Sequence, residues 1–476
     1  MPSEVLAEQK LYIGGQWHDG AGTREVHDRW TGEVLTTVSV AGPEEARAAV
    51  DAAHAAMSRA FPVAARSRVL ATAAELVSER AEEFALAITA ETGKPIAASR
   101  GEVARGCETL RYASEEARRL PGETVPLDAI PAGEGTFAMT ISEPRGIVAA
   151  ITPFNFPLNL LLHKVAPAIA AGCSVVLKPS DRAVVVAGLV TRTFVDAGLP
   201  PGRLNLVTGR PADTVDEWLA DPRVQVVTFT GSSPVGWSIK ARSPEKLHIL
   251  ELGSNTAMVV TDDADLDRAA DAAVTAALAN SGQACISLQR LYATPGAAQG
   301  LLDRVRERFA AVVTGDPRDP ETVVGPMISE QATRTLHEAI LSAVAGGARV
   351  LAGGEVVDGV LQPTLLADVD PVDGLVCDEA FGPVLSLLVV DDLDAAIEAV
   401  NASEYALNTA IYTSDLATAM EFSRRAEAGT VLVNMPPSFR ADHMPYGGVK
   451  GSGQGTEGVK YAIHELAHQK LVVLRP

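Results

Sequence analysis

Cysteine and aromatic residues are both scarce in this chain: four of its 476 positions are Cys, and 5% are aromatic. Cys107, Cys173, Cys285 and Cys377 form no CxxC pair and no close cluster. That pattern excludes a disulfide framework and a zinc site, and no bound metal is expected. Long hydrophobic runs are missing too. The apolar stretches at 146–151 and 173–177 fall far short of the ~20 residues that span a bilayer. Met1 to Lys10 is polar and lacks the apolar core of a secretory signal, so a cytoplasmic protein with reduced thiols is expected. Basic residues are in deficit. Forty Lys and Arg against sixty Asp and Glu leave a formal charge of −20. Such a field repels nucleic acid and anionic membrane surfaces, so neither is expected as a partner. An anionic substrate would need local cations set against it.

What is present reads as globular, with 47% hydrophobic and 21% charged residues. At ~150 residues per domain, the length predicts two or three domains. Residues 11–41 alternate between Gly-rich breaks and read as short hairpins. From 43 to about 120 the pattern is helical, and Val69, Leu70, Ala73, Leu76, Val77, Phe84 and Ile88 fall on one face. Residues 121–144 look like an extended hairpin leaving the main body.

Between 146 and 251 short apolar runs (146–151, 173–177, 203–207, 224–229, 247–251) alternate with helical stretches, the mark of βαβ units and a parallel sheet. Ligands bind such sheets at the carboxyl ends of the strands. Those ends fall at 152–157, 178–181, 208–210, 230–236 and 251–255. A second alternation runs from 256 to about 455, with strands expected near 257–261, 288–294, 384–390, 407–413 and 431–434. The tail reads as a helix at 458–466 and a strand at 470–474. Gly453-Gln454-Gly455-Thr456-Glu457-Gly458 fits GxGxxG. With no strand in the right place before it, it is read as a flexible loop.

Chemistry concentrates in the run from Asn280 to Arg290, where Cys285 stands among small residues regarded as flexible. Glu251 lies 34 residues upstream (285 − 251), at the end of an apolar run. A thiol acts as a nucleophile when its pKa is lowered or a base stands nearby. Attack on a carbonyl then needs donors for the oxyanion. Asn155, held between two aromatics and two prolines, offers one. Singly, each has an ordinary reading: a buried thiol, an ion-paired carboxylate, a loop-capping amide.

Together with their neighbours they resemble the NAD(P)-dependent aldehyde dehydrogenase superfamily. The matching stretches, in the family's order, are Pro153-Phe154-Asn155-Phe156-Pro157, Leu177-Lys178-Pro179-Ser180, Val227-Thr228-Phe229-Thr230-Gly231-Ser232 and Leu250-Glu251-Leu252-Gly253. They continue with Gly282-Gln283-Ala284-Cys285, Glu379-Ala380-Phe381-Gly382-Pro383-Val384 and Pro445-Tyr446-Gly447-Gly448. The resemblance implies an α/β fold with a Rossmann-type parallel-sheet cofactor domain (1–120 and 144–252). A second α/β, catalytic domain (253–458) and a small β oligomerisation element (121–143 and 459–476) complete it. A lone hairpin should pair with another chain, and the resemblance implies a homodimer or homotetramer.

By the same resemblance Cys285 forms a thiohemiacetal and then a thioester. Asn155 and the Cys285 N–H make the oxyanion hole, and Glu251 activates the hydrolytic water. Thr152, Pro153, Lys178, Ser180, Asp181, Gly209, Gly231, Ser232, Leu252, Glu379 and Phe381 would hold the cofactor. Asp181, three after Lys178, favours NAD by repelling a 2′-phosphate, although Arg182 beside it leaves NADP open. The stretch from Ser438 to Lys450 resembles branches acting on short polar or anionic aldehydes. Arg440 would then receive a carboxylate, phosphate or phosphonate, with Arg105 and His163 as further candidates. Against this stand an Arg440–Asp442 ion pair and a solvated Arg105. Gly253-Ser254, Ala406 and Thr456 depart from the usual family pattern. Two rival readings are a cysteine hydrolase or acyltransferase without hydride transfer, and a non-catalytic binding or structural protein on the same scaffold.

Overall fold

The computed structural model describes residues 8–476, so the first seven residues of the stretch read for a signal lie outside the described residues. Two twisted sheets dominate. The first has eight strands in the order Gly453–Gln454, Leu247–Glu251, Val224–Thr230, Ile147–Ile151, Ser174–Lys178, Leu204–Leu206, Leu11–Ile13, Gln16–His18. Its five central strands are parallel, and antiparallel strands close both edges. These centres are Val-, Ile- and Leu-rich and buried on both faces, which is why they read as continuous apolar runs.

Chain order reverses between Ile147–Ile151 and Val224–Thr230, and a ligand crevice is expected at such a switch point. The register brings the functional ends level. Ile151 faces Lys178 on one side and Phe229 on the other, and Thr230 faces Glu251. Their loops therefore leave from one edge.

The second sheet has seven strands in the order Arg349–Ala352, Thr364–Ala367, Val384–Val389, Leu288–Ala293, Thr256–Val260, Asn408–Tyr412, Thr430–Val433. All are parallel except the first, an edge strand. The five strands anticipated here are present; Arg349–Ala352 and Thr364–Ala367 were not anticipated.

The helical stripe is two helices, Val63–Glu79 and Ala81–Thr92, and all its residues except Leu76 are buried. Gly93, at φ +77°, caps the second, and Ile96–Glu116 follows. Near the N-terminus, Leu11–Ile13 and Gln16–His18 form one hairpin, and Gly22–His27 pairs with Val34–Val40.

Two readings need correction. Residues 121–144 do fold back on themselves, Thr124 bridging Met139, but the long partner of Phe137–Pro144 is the tail strand Ala467–Leu474, paired along its whole length. The GxGxxG stretch is not a flexible loop. Gly453–Gln454 pairs antiparallel with Leu250 and Glu251, and Ser452 accepts the Leu252 N–H at 2.9 Å. A Cβ on Gly453 would lie 2.1 Å from the Leu250 carbonyl, so glycine is required for this close approach. The segment from Tyr446 to Glu457 thus returns from the second half of the chain to the edge of the first sheet.

Candidate active site

Cys285 sits in the turn between the helix Leu266–Leu278 and the strand Leu288–Ala293. The small residues there are locked rather than flexible. Asn280, Ser281 and Gly282 are all left-handed, with φ of 53°, 55° and 73°. Such strain in non-glycine residues persists only where the surroundings impose it. Here Ser281 Oγ accepts from Gly325 N–H at 3.0 Å, and Gln283 Oε1 accepts from Ile328 N–H at 2.8 Å. Asn280 Nδ2 donates to the Asn155 carbonyl at 3.0 Å, tying the thiol turn to the loop that carries Asn155. Among the described residues no backbone acceptor takes the Cys285 N–H. It therefore remains available to an oxyanion alongside the Asn155 amide.

Cys285 and Asn155 line one cleft of about 480 Å³ with Thr152, Pro153, Lys178, Ser180, Asp181, Gly231, Ser232, Leu252, Glu379 and Phe381. Gly209 is not among its walls. It packs against the strand leading to Ala41, whose carbonyl would stand 2.8 Å from any Cβ there, so its glycine serves backbone packing.

The cleft suits a dinucleotide. Ser232 begins the helix Ser233–Arg242 without capping it by its side chain, leaving first-turn N–H groups open to a pyrophosphate. Lys178 is buried, 3.5 Å from Asp181 and donating to the Pro179 carbonyl at 3.1 Å; burial, only partly offset by Asp181, lowers its pKa. Glu379 accepts from Ser254 N–H at 3.0 Å, and burial pushes its carboxyl up to about 7. Phe381, at φ +48°, meets Phe154 edge-on with ring centroids 5.9 Å apart.

Behind the cleft lies Glu251, at the end of its strand. Both carboxylate oxygens are buried without a hydrogen-bond partner. Burial first, then the charge of Glu457, raise its pKa well above the carboxylate range against the pull of Arg440 and Lys164. A buried orphan carboxyl is costly, and such costs concentrate at functional sites. Glu457 behaves oppositely: Lys164 and Arg440 outweigh its burial and hold it at about 2. Lys164 Nζ reaches Glu457 at 2.8 Å and Thr228 at 3.1 Å.

The substrate-side expectations need revision. Arg440 is buried, with 6% of its side chain exposed, and its partner is Glu457 at 3.2 Å, not Asp442. Its guanidinium also stacks 3.7 Å above the Tyr446 ring. His163 is sealed inside the helix Asn159–Ala171, 2.9 Å from Asp442, and burial lowers its pKa. Each keeps one buried nitrogen without a partner, Arg440 Nε and His163 Nδ1, but neither residue lines the cleft. Arg105 holds Asp442 with two bonds, at 2.7 and 3.1 Å, yet keeps 34% of its side chain exposed. Lys164 and Glu457 escaped the sequence reading. A lysine inside the apolar run Leu160-Leu161-Leu162-His163-Lys164-Val165 was the available signal, because a buried ammonium must have a partner.

The aldehyde dehydrogenase family model matches residues 17–472. The chain belongs to that family. It is 41% identical over 466 residues to a 3-sulfolactaldehyde dehydrogenase of Priestia megaterium, covering 98% of this chain and 97% of the relative. Two solved structures superpose with TM-scores of 0.96. One is the aldehyde dehydrogenase 21 of Physcomitrella patens in complex with its reaction product succinate, 35% identical, with 99% of this chain and 98% of that one covered. The other is an NADP-dependent glyceraldehyde-3-phosphate dehydrogenase of Bacillus halodurans complexed with NADP, 32% identical, covering 98% and 99%. This enzyme is an NAD(P)-dependent aldehyde dehydrogenase with the expected α/β fold. No helix among the described residues is long and apolar enough to cross a membrane.

Proposed function

We propose that the enzyme oxidises a short aldehyde carrying an anionic head group to the corresponding acid. One observation carries the substrate class: the charge of the network behind the thiol. Arg105, Arg440 and Lys164 supply three positive charges, and Asp442 and Glu457 two negative ones. Burial shifts both Glu251 and His163 toward their neutral forms, and the ion-paired groups leave one positive charge over in a chain of −20. A fixed excess of that sign attracts and orients an anion. Three related enzymes are named for, or hold, a sulfonated, a carboxylated and a phosphorylated compound. The shared feature is a small acidic group, and the partly exposed Arg105 guanidinium has the fork geometry to receive it.

In this reading Cys285 adds to the aldehyde carbon, and the oxyanion rests on the Asn155 amide and the Cys285 N–H. The nicotinamide, when bound, supplies the two-electron oxidation that leaves a thioester on Cys285. Glu251 then ionises and takes a proton from the attacking water. Lys164 and Arg440 stabilise the charge so formed, and Glu457 opposes it. Substrate binding raises the local negative charge, so the neutral resting state of Glu251 avoids repelling the anion on entry.

Replacing Arg105 by Gln is expected to raise KM for sulfonated, carboxylated or phosphorylated short aldehydes about tenfold or more, with little change for neutral ones of equal length. Initial rates of cofactor reduction across such a panel decide it, and equal effects on both groups would discard the anion site. We further infer a preference for NAD. Asp181 stands at the cleft mouth, 3.5 Å from Lys178, where a 2′-phosphate would meet its charge. Asp181→Ser should therefore improve kcat/KM for NADP about tenfold relative to NAD; an unchanged ratio would assign the selection elsewhere. The four unpaired cysteines support a reducing, cytoplasmic setting. The ribbon of Phe137–Pro144 and Ala467–Leu474 exposes Phe137, Ile141, Leu471 and Val473, and would form the contact of a dimer or tetramer.

A further inference from the structure

The Tyr446 phenol oxygen lies 3.3 Å from Cys285 Sγ, and the Arg440 guanidinium lies 3.7 Å from the centre of the Tyr446 ring on its face. Tyr446 is 2% exposed, and its main chain is clamped. It donates to the Glu457 carbonyl at 3.1 Å and accepts the Glu457 N–H at 2.6 Å, while the Glu457 side chain holds Arg440. Ring, cation and carboxylate thus form one rigid stack aimed at the sulfur. We propose that Tyr446 is a further catalytic residue. Its phenol O–H donates to Cys285 Sγ and, with Arg440 on its ring as a positioning residue, stabilises the sulfur's ionised, attacking form relative to the thiol.

Geometry and donor strength fix the direction of the bond. A thiol S–H is a weak donor and a phenol O–H a strong one. Among the described residues the sulfur is the one partner of the Tyr446 hydroxyl. A cation on the ring face draws electron density from the phenol and strengthens its donation. Burial keeps that phenol protonated, its pKa raised well above the usual value, so it stays a donor throughout the working range.

The thiol needs this help. Burial pushes Cys285 up to about 11, against the pull of Tyr446 and Arg440. The proton that Cys285 loses passes to solvent in the cleft it borders. The same bond serves twice in the cycle. It weakens when the sulfur bonds carbon, and it re-forms when hydrolysis breaks the C–S bond and returns the electron pair to sulfur.

The proposal rests on Cys285 being the nucleophile, and its test separates the two claims. Tyr446→Phe removes one oxygen and keeps the ring under Arg440. The rate of Cys285 alkylation by iodoacetamide is measured against pH on the Cys285 peptide by mass spectrometry, which excludes the exposed Cys377. The midpoint should rise by about one pH unit or more, given the usual strength of hydrogen bonds to charged groups. In parallel, kcat/KM for aldehyde should fall about tenfold near neutral pH, with the deficit narrowing as pH rises. An unmoved midpoint, or one that falls because the thiol had been the donor, overturns the proposal. Alkylation needs no turnover, so it judges Tyr446 alone; full turnover by Cys285→Ala would instead remove the underlying reading.

Discussion

Glu251→Gln is expected to leave the first oxidation nearly intact and to slow steady-state formation of acid ~100-fold or more, the usual weight of a general base. Rapid-mixing measurements should show a burst of reduced cofactor close to one per active site, followed by a near halt. The burst survives because carbonyl addition uses Cys285, Asn155 and the turn that joins them, none of which is hydrogen-bonded to the Glu251 carboxyl. The halt follows because the other groups near the thioester are engaged: Lys164 and Arg440 are cations, Glu457 is paired with both, and Glu379 is held by the Ser254 N–H. The wild-type steady-state rate should also climb with pH, since burial and Glu457 place the pKa of Glu251 well above the carboxylate range. The sign is fixed, because only the ionised carboxylate accepts the proton. In Glu251→Gln this climb should disappear.

Asn155→Ala should lower kcat ~100- to 1,000-fold with a much smaller change in KM, as expected when one oxyanion donor is removed. The loop should keep its place, because the Asn280 side chain grips the Asn155 main-chain carbonyl rather than its amide. Burst amplitude and steady-state rate should fall together, unlike in Glu251→Gln. A normal burst in Asn155→Ala would move the oxyanion site elsewhere.

Why some of this was legible in the sequence and some was not follows from packing. The parallel strands Ile147–Ile151 and Ser174–Lys178 are buried on both faces, so they stand out as unbroken apolar runs. Arg349–Ala352 is a half-exposed edge and Thr364–Ala367 has only four residues, so neither breaks the background. Asn155, Glu251 and Cys285 could be singled out because each belongs to a recognisable short motif at or just beyond the end of a regular element. Lys164 and Glu457 were not: their partnership spans 293 residues and depends on the Tyr446-to-Glu457 segment docking on the first sheet. Arg440 was misjudged for the same reason. Its exposure depends on Glu457, and a local reading offered only Asp442, which Arg105, His163 and Asn159 already hold.

The intact mass of Glu251→Gln, incubated with NAD and a short anionic aldehyde, addresses the central claim most directly. The protein should gain the mass of the aldehyde less a pair of hydrogen atoms, located on the Cys285 peptide and released by hydroxylamine, as a trapped thioester requires. Absence of the adduct, or its attachment to any residue other than Cys285, would contradict the account.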